Sequence, residues 1–187
     1  MEKLFFFSIS QLLLLPEGLG NVYSELNEYR SKKVVMIDVG SLNINYLELN
    51  NLIPNYDKML TADLGINILR SKIADSLTTK YGISVSDSDV ERLFSDKHLI
   101  INGVKQEDSR EIMERAIQNH VKEVLNNAKS RKLSFNNTSI VLSGGGAILL
   151  SDYLLSEFPA ATLVPDAQFA NAHSFLWILE TKYEQAS

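Results

Sequence analysis

The sequence predicts an α/β fold in which a mixed β-sheet is flanked by helices and carries a small inserted subdomain. Three observations indicate this fold. Residues 34–39 form a continuous, mostly β-branched run that is apolar on both faces, as in a buried central strand. Apolar residues recur three and four apart over residues 66–77 and 113–128, which is typical of helices packed on a core. Residues 139–157 pass from a short apolar strand through a glycine turn into a helix.

The composition is that of an ordinary globular protein. Of the 187 residues, 45% are apolar and 22% are charged, which allows one sizeable core. The formal net charge of -5 offers no basic surface to a phosphate backbone, so we expect no direct binding to nucleic acid. The absence of cysteine excludes disulfides, thiolate metal sites and cysteine nucleophiles, and it fits a cytoplasmic location.

The first apolar segment, residues 5–15, is predicted to form one or two buried strands that end at Pro16. The alternative is a signal peptide, but no small-residue cleavage site follows. A helix of roughly twelve residues is also too short to span a bilayer. After the break at Pro16-Glu17-Gly18, apolar spacing predicts a short helix over residues 19–29.

The central strand over residues 34–39 ends at Gly40-Ser41, and alternating apolar residues then predict a hairpin partner up to residue 49. A further strand is expected over residues 56–60. The next helix is predicted to begin at a cap formed by Asp63 and to end at Gly82.

Between residues 83 and 104 the pattern weakens into a short helix, residues 90–94, and a strand, residues 98–101. A long helix follows over residues 109–129, with Asp108 and Glu111 placed as a capping box. A last helix covers residues 169–183. We therefore expect a sheet-containing subdomain formed by residues 1–65 and 141–187, with residues 66–140 as an inserted helical subdomain.

The first candidate site is Asp38-Val39-Gly40-Ser41, which joins two predicted strands. Glycine lets backbone amides approach phosphate oxygens, and an aspartate can hold a hydrated divalent cation. The alternative is an aspartate that only caps the hairpin.

The second candidate is Ser143-Gly144-Gly145-Gly146-Ala147, between a strand and a helix. Exposed amides and the positive end of the helix suit a ligand there. The segment lacks the lysine of a P-loop, and its contiguous glycines do not match the dinucleotide fingerprint. A tight turn without a ligand is the alternative.

Glu17 is the third candidate, because an acid at a break between strand and helix can position a water for attack on a phosphate. The alternative is an acid that complements the helix dipole. The three histidines, His98, His120 and His173, have no metal-ligand spacing and are interpreted as structural. Phe175 and Trp177 are interpreted as core residues rather than a stacking platform.

The order of these features resembles the second half of the actin fold. The sequence motifs themselves are most similar to those of plasmid-segregation actin-like proteins of the ParM type. The motifs that carry the resemblance are Leu15-Pro16-Glu17-Gly18, Ile37-Asp38-Val39-Gly40, Asp63-Leu64-Gly65-Ile66, Gly144-Gly145-Gly146-Ala147 and Phe169-Ala170-Asn171-Ala172. Together they extend over nearly the whole chain. The resemblance implies an RNase H-like, actin-type ATPase lobe.

The resemblance also implies a site for ATP or GTP with Mg²⁺ between two lobes, of which this chain is the second. Asp38 would hold Mg²⁺ through water, Gly40 and Ser41 would contact the phosphates, and Glu17 would position the attacking water. The residues expected around the adenosine are Gly144, Gly145, Gly146 and Ala147. In the hairpin, Ser41, Leu42 and Asn43 replace the family's usual Gly-Thr-Thr, and Asn45 stands near its usual second acid.

The function implied is a cytoskeletal filament that moves plasmids or other DNA. Its expected partners are further copies of itself and a DNA-bound adaptor protein, with no membrane. The first lobe is expected to precede residue 1 in a full-length relative, so the chain alone should be inactive as an ATPase. Two alternatives remain: a lobe of another actin-superfamily ATPase or kinase, and an interaction module that uses the fold without nucleotide.

Overall fold

A five-stranded mixed sheet forms the centre of the molecule in the computed structural model, which describes residue 9 and residues 12–184. The strands of this sheet are β1 (Lys33–Val39), β2 (Ile44–Asn50), β3 (Ile53–Ala62), β6 (Ser139–Ser143) and β7 (Thr162–Leu163). A separate two-stranded hairpin consists of β4 (Leu99–Ile101) and β5 (Val104–Gln106). The helices are α1 (Leu19–Tyr23), α2 (Leu26–Tyr29), α3 (Ile66–Tyr81), α4 (Asp87–Asp96), α5 (Asp108–Ser130), α6 (Gly145–Leu149), α7 (Ser151–Glu157) and α8 (Ala170–Glu184).

The sheet has the strand order β3-β2-β1-β6-β7, which places β1 at its centre. β1 pairs antiparallel with β2 and parallel with β6, and β6 pairs parallel with β7. The predicted mixed sheet, its central strand and its hairpin are therefore confirmed. The two-residue strand β7 has too short a pattern to be predicted from the sequence.

The central strand β1 is buried on both faces of the sheet. Successive side chains of a strand point to opposite sides, so β1 contributes to two cores. Val35, Ile37 and Val39 contribute to the larger core, which α3 and α5 cover. Val34 and Met36 contribute to the smaller core beneath α1. The proposed division at residues 66 and 140 stays a prediction, and α3 and α5 share their core with the sheet.

The start of α3 differs from the prediction, because no side chain caps it and Asp63 is not its cap. Gly65 is the N-cap residue, and the first free amides bond instead to the hairpin between β1 and β2. The amide of Ile66 donates to the carbonyl of Gly40 over 3.1 Å, and that of Asn67 donates to the carbonyl of Ser41 over 2.9 Å. The predicted end of this helix at Gly82 is confirmed by its left-handed backbone, φ 66°.

The capping box predicted for Asp108 and Glu111 is also wrong, since α5 begins without a side-chain cap. The capping box of the described chain lies at the start of α4, where Ser86 and Asp89 bond reciprocally. The spacing is the same at both places, but the first residue is Ser86 at α4 and Asp108 at α5, and α5 follows directly on the β4–β5 hairpin. That hairpin is held by Ser109, whose hydroxyl accepts a hydrogen bond from the amide of Leu99 over 2.8 Å.

Three other elements differ in detail from the prediction. Most of residues 5–15, for which one or two strands were predicted, lies outside the described residues, and the described residues 12–15 are irregular. The helix predicted over residues 19–29 is divided into α1 and α2, and the one predicted over residues 147–157 is divided at Leu150 into α6 and α7.

Candidate functional site

A cleft of about 600 Å³ opens where the parallel strands β1 and β6 end. Parallel strands end at the same edge of a sheet, so the loops that follow them meet there. The cleft is lined by Glu17, Asp38, Gly40, Ser41, Leu42, Asn43, Asn45, Ile66, Arg70, Gly144, Gly145, Gly146, Leu149, Gln168 and Asn171. Seven of the eight predicted site residues are therefore in one place.

Asp38 lies near the end of the central strand, between Asn45 of β2 and Ser143 of β6. Its side chain is only 7% exposed. Burial raises the pKa of this carboxyl group, a hydrogen bond from Asn171 opposes the rise, and the charge of Glu17 adds to it. The amide Nδ2 of Asn171 donates to Oδ2 of Asp38 over 2.6 Å.

Glu17 is exposed at the rim of the cleft, just before α1. Its carboxylate accepts a hydrogen bond from the side-chain amide of Asn45. The oxygen of the same Asn45 side chain accepts a hydrogen bond from the hydroxyl of Thr61 over 2.8 Å, which fixes its orientation. Glu17 thus lies close enough to influence Asp38 while its carboxylate faces solvent.

The hairpin between β1 and β2 supplies Gly40 and Ser41 to the cleft. The amide of Gly40 donates to the carbonyl of Asn43 over 2.9 Å, which closes a tight turn. The side chain of Ser41 is exposed. As described above, the carbonyls of Gly40 and Ser41 accept hydrogen bonds from the start of α3, so the hairpin is fixed to that helix.

The three glycines after β6 have different roles. Gly144 has φ 87°, and a Cβ atom there would overlap the carbonyl oxygen of Val39. A Cβ on Gly146 would lie 2.5 Å from Cγ1 of Val39 and 2.7 Å from Cγ1 of Ile66. Gly145 is exposed, and a Cβ atom there would meet only the side chain of Gln168, at 3.5 Å. Two of the glycines therefore allow close packing on β1, and Gly145 leaves space in the cleft.

Ala147, the eighth predicted residue, does not line the cleft. It is fully buried in the larger core, because the first turn of α6 directs it towards the sheet. The role predicted for Ala147 beside a nucleotide is therefore corrected to packing.

Sequence reasoning missed three lining residues. Asn171 connects two parts of the site, since its Oδ1 accepts a hydrogen bond from the amide of Gly18 over 2.8 Å while its Nδ2 binds Asp38. Arg70 enters from α3, and Gln168 lies opposite Gly145. Asn171 belongs to the Phe169–Ala172 motif, although no role in the site was predicted for it, whereas no motif includes Arg70 or Gln168. Each of the three reaches the cleft through its place in the fold.

The predicted structural residues lie elsewhere. Within the described chain none of the histidines lines the cleft, and burial lowers the pKa of His120, which is in the core. His173 is exposed beside Asp166 at 3.0 Å. The prediction for Trp177 is wrong, since its side chain is 38% exposed on α8.

In residue 9 and residues 12–184, the part of the chain that the structure describes, no group of three acidic or histidine side chains converges to hold a metal directly. None of the helices in this part of the chain combines the length and the apolar character needed to cross a membrane.

Comparison with known proteins identifies the family. The model of the archaeal actin homologue MreB-like C-terminal family matches residues 36–156. No curated protein matches the sequence. Among solved structures, the chain is similar to a 15-stranded ParM filament from Clostridium botulinum, with 23% identity and a TM-score of 0.75 over 96% of this chain and 56% of the other.

Two structures of an archaeal actin homologue are also similar. The selenomethionine form has 22% identity and a TM-score of 0.77, over 94% of this chain and 57% of the other. The complex with ADP has 22% identity and a TM-score of 0.72, over 94% of this chain and 59% of the other. The chain thus spans a little over half the length of these structures.

These likenesses confirm the predicted actin-type lobe fold. The family model covers more than half of the sequence, including the second half of the central strand, the hairpin turn with β2, α3, α5 and the three glycines. The chain belongs to the family of C-terminal domains of archaeal MreB-like actin homologues.

Proposed function

We propose that the chain is the second lobe of a nucleotide-dependent actin-like filament protein that segregates plasmids or other DNA. The observation that carries the proposal is the single cleft in which Glu17, Asp38, the β1–β2 hairpin and Gly145 meet. Membership of a family of actin homologues and the similar ParM filament support the assembly part of the proposal.

The proposed ligand is ATP or GTP with Mg²⁺. The residues fit a hydrated cation. The carboxyl group of Asp38 is buried, has a raised pKa and lies near the acidic Glu17, so a positive charge would stabilise its ionised form. Asp38 would hold Mg²⁺ through water, Gly40 and Ser41 would approach the phosphates, and Gly145 would lie against the adenosine. The complex of the similar archaeal homologue with ADP supports this ligand class.

Glu17 is proposed to orient the water that attacks the terminal phosphate. It has the exposure that such a role requires, and Asn45 holds its carboxylate in place. The proposed partners are further copies of the chain and a DNA-bound adaptor protein, in the cytoplasm. The net charge of -5 supports an indirect link to DNA rather than direct binding.

One observation favours a second candidate, a module that uses this fold for protein interaction without nucleotide. The amide of Gly40 donates to Asn43 within the turn, so this hairpin amide is already engaged. Direct measurement of nucleotide binding separates the two candidates.

The test is isothermal titration of the chain with ATP or GTP in the presence of Mg²⁺. We expect saturable binding of at least one nucleotide. In Asp38→Asn, binding should weaken by roughly 10- to 100-fold, the usual loss for a group that orients the ligands of a metal. Asp57→Asn, on the exposed side of β3, serves as the matched control and should bind as the parent does. Heat-silent titrations with both nucleotides would instead support the nucleotide-free module.

A further inference from the structure

Arg70 introduces positive charge into a cleft whose other charged side chains are acidic. Among the lining residues in the described part of the chain, it is the only cationic one, whereas Glu17 and Asp38 are acids. None of the motifs discussed above includes it. A ligand with several negative charges needs such a group, because two carboxylates alone would repel it.

The position of Arg70 places it on the hairpin side of the cleft. Arg70 and Ile66 both line the cleft and are four residues apart, so they share one face of α3. The amide of Ile66 is bonded to the carbonyl of Gly40. One helical turn is about 5.4 Å, so the guanidinium can extend to the region in front of Gly40 and Ser41.

The guanidinium of Arg70 has a hydrogen-bond donor without an acceptor among the described residues. One terminal nitrogen forms an ion pair with Glu91 of α4, and the other lies 3.5 Å from Oδ1 of Asn67. Nε is buried and has no acceptor among the described residues. The side chain of Glu91 is 54% exposed, and an ion pair with so exposed a carboxylate contributes little because water screens it.

We propose that Arg70 binds a phosphate group of the nucleotide by exchanging Glu91 for phosphate oxygens. A guanidinium forms two parallel hydrogen bonds with a phosphate, and these are stronger than its bond to a solvated carboxylate. The ion pair with Glu91 holds the guanidinium near its binding position. Glu91 is thus a positioning residue that competes with the ligand, and the inference rests on the nucleotide binding proposed above.

The test compares ADP with adenosine, both in Mg²⁺, by titration of the full chain. Arg70→Gln should weaken ADP binding by roughly 10- to 100-fold, the loss expected for hydrogen bonds to a charged group. Adenosine, which has no phosphate, should bind the variant as it binds the parent. Glu91→Gln should strengthen ADP binding, because it removes the competing charge. Arg110→Gln removes another ion-paired arginine, one that does not line the cleft, and should change the affinity for neither ligand.

Each outcome decides a separate claim. Equal ADP affinity in Arg70→Gln and the parent would overturn the role of Arg70 while leaving nucleotide binding intact. Equal loss of ADP and adenosine would also overturn it, by placing Arg70 at the nucleoside. Weaker ADP binding in Glu91→Gln would overturn the exchange. If the parent binds neither ligand, the proposed function itself fails and the inference fails with it.

Discussion

Asp38 is a carboxylate in a place that disfavours its charge. It is almost fully buried at the end of the central strand, and burial raises its pKa despite the hydrogen bond from Asn171. A raised pKa means that the folded chain binds the proton more tightly than the unfolded chain does. Ionised Asp38 therefore lowers the free energy of unfolding at neutral pH, as is common for groups kept for binding or catalysis.

Asp38→Asn is accordingly expected to raise the melting temperature at pH 7. The amide keeps the shape of the side chain, its oxygen accepts the bond from Asn171, and the buried charge is removed. As the pH falls, Asp38 of the parent gains its proton first in the folded state, so the parent recovers this stability. The difference between variant and parent should therefore shrink from pH 7 towards the ordinary pKa range of aspartate, about 4.

Thermal melts across this pH range measure the effect. Asp57→Asn, which removes an exposed carboxylate of β3 by the same substitution, is the control. A lower melting temperature for Asp38→Asn at pH 7 would mean that the ionised carboxylate stabilises the fold, contrary to this account.

At the scale of elements, the junction between β6 and α6 depends on glycine at two of three consecutive positions. Gly144 has a left-handed backbone, and its hydrogen atoms face the carbonyl of Val39. Gly146 lies against Val39 and Ile66, which are both fully or almost fully buried. A Cβ atom added at Gly145 would meet only the exposed side chain of Gln168, at ordinary contact distance.

We expect Gly146→Ala to destabilise the chain by about 1–3 kcal/mol, the usual effect of overpacking a core. Gly145→Ala, the matched substitution one residue earlier, should stabilise it by about 0.4–1 kcal/mol, because alanine restricts the unfolded chain and fits the helix. Urea unfolding measures both values. The account fails if the two variants have equal stability.

The helices and strands were largely predicted from the sequence, whereas the hydrogen bonds between them were not. The β1–β2 hairpin, α3 and α5 follow from periodicity, which depends only on neighbouring residues. Asp63 does not cap α3, because the free amides at the start of this helix donate to carbonyls of the β1–β2 hairpin. Likewise, Asn171 reaches Asp38 across 133 residues of sequence. A pattern within one segment does not contain the contacts that the fold creates between distant segments.

In the candidate site, too, local motifs were predicted from the sequence and contacts between distant segments were not. The motifs around Asp38 and Gly144 predicted that both would contribute to one site, and the cleft brings them together. Whether the three glycines serve a turn or a ligand was left open by the sequence. The answer depends on Val39, which lies on a different strand and occupies the space beside Gly144 and Gly146.

At the scale of the whole molecule, the described residues line the cleft from one lobe. The chain spans 56% of the length of the similar ParM filament subunit and 59% of that of the archaeal homologue with ADP. Phosphoryl transfer depends on positioning the phosphates and stabilising their developing charge from several directions. A single lobe supplies part of these contacts.

We therefore expect the 187-residue chain to fold without showing appreciable hydrolysis of ATP or GTP. Phosphate release, measured over many equivalents of nucleotide, should match a control that contains Asp38→Asn. Circular dichroism of the same samples should show a cooperative thermal transition. Multiple turnovers by the parent chain would show that this lobe holds a complete catalytic site.

The bonding between the hairpin and α3 also has a mechanical consequence. The carbonyls of Gly40 and Ser41 hold the first amides of the helix, and Gly65 packs against Ser41 and Leu42 with no space for a side chain. The hairpin and the helix are therefore expected to move together as one rigid unit. α3 has 16 residues, so a displacement at the hairpin is carried about 24 Å along the helix to Tyr81.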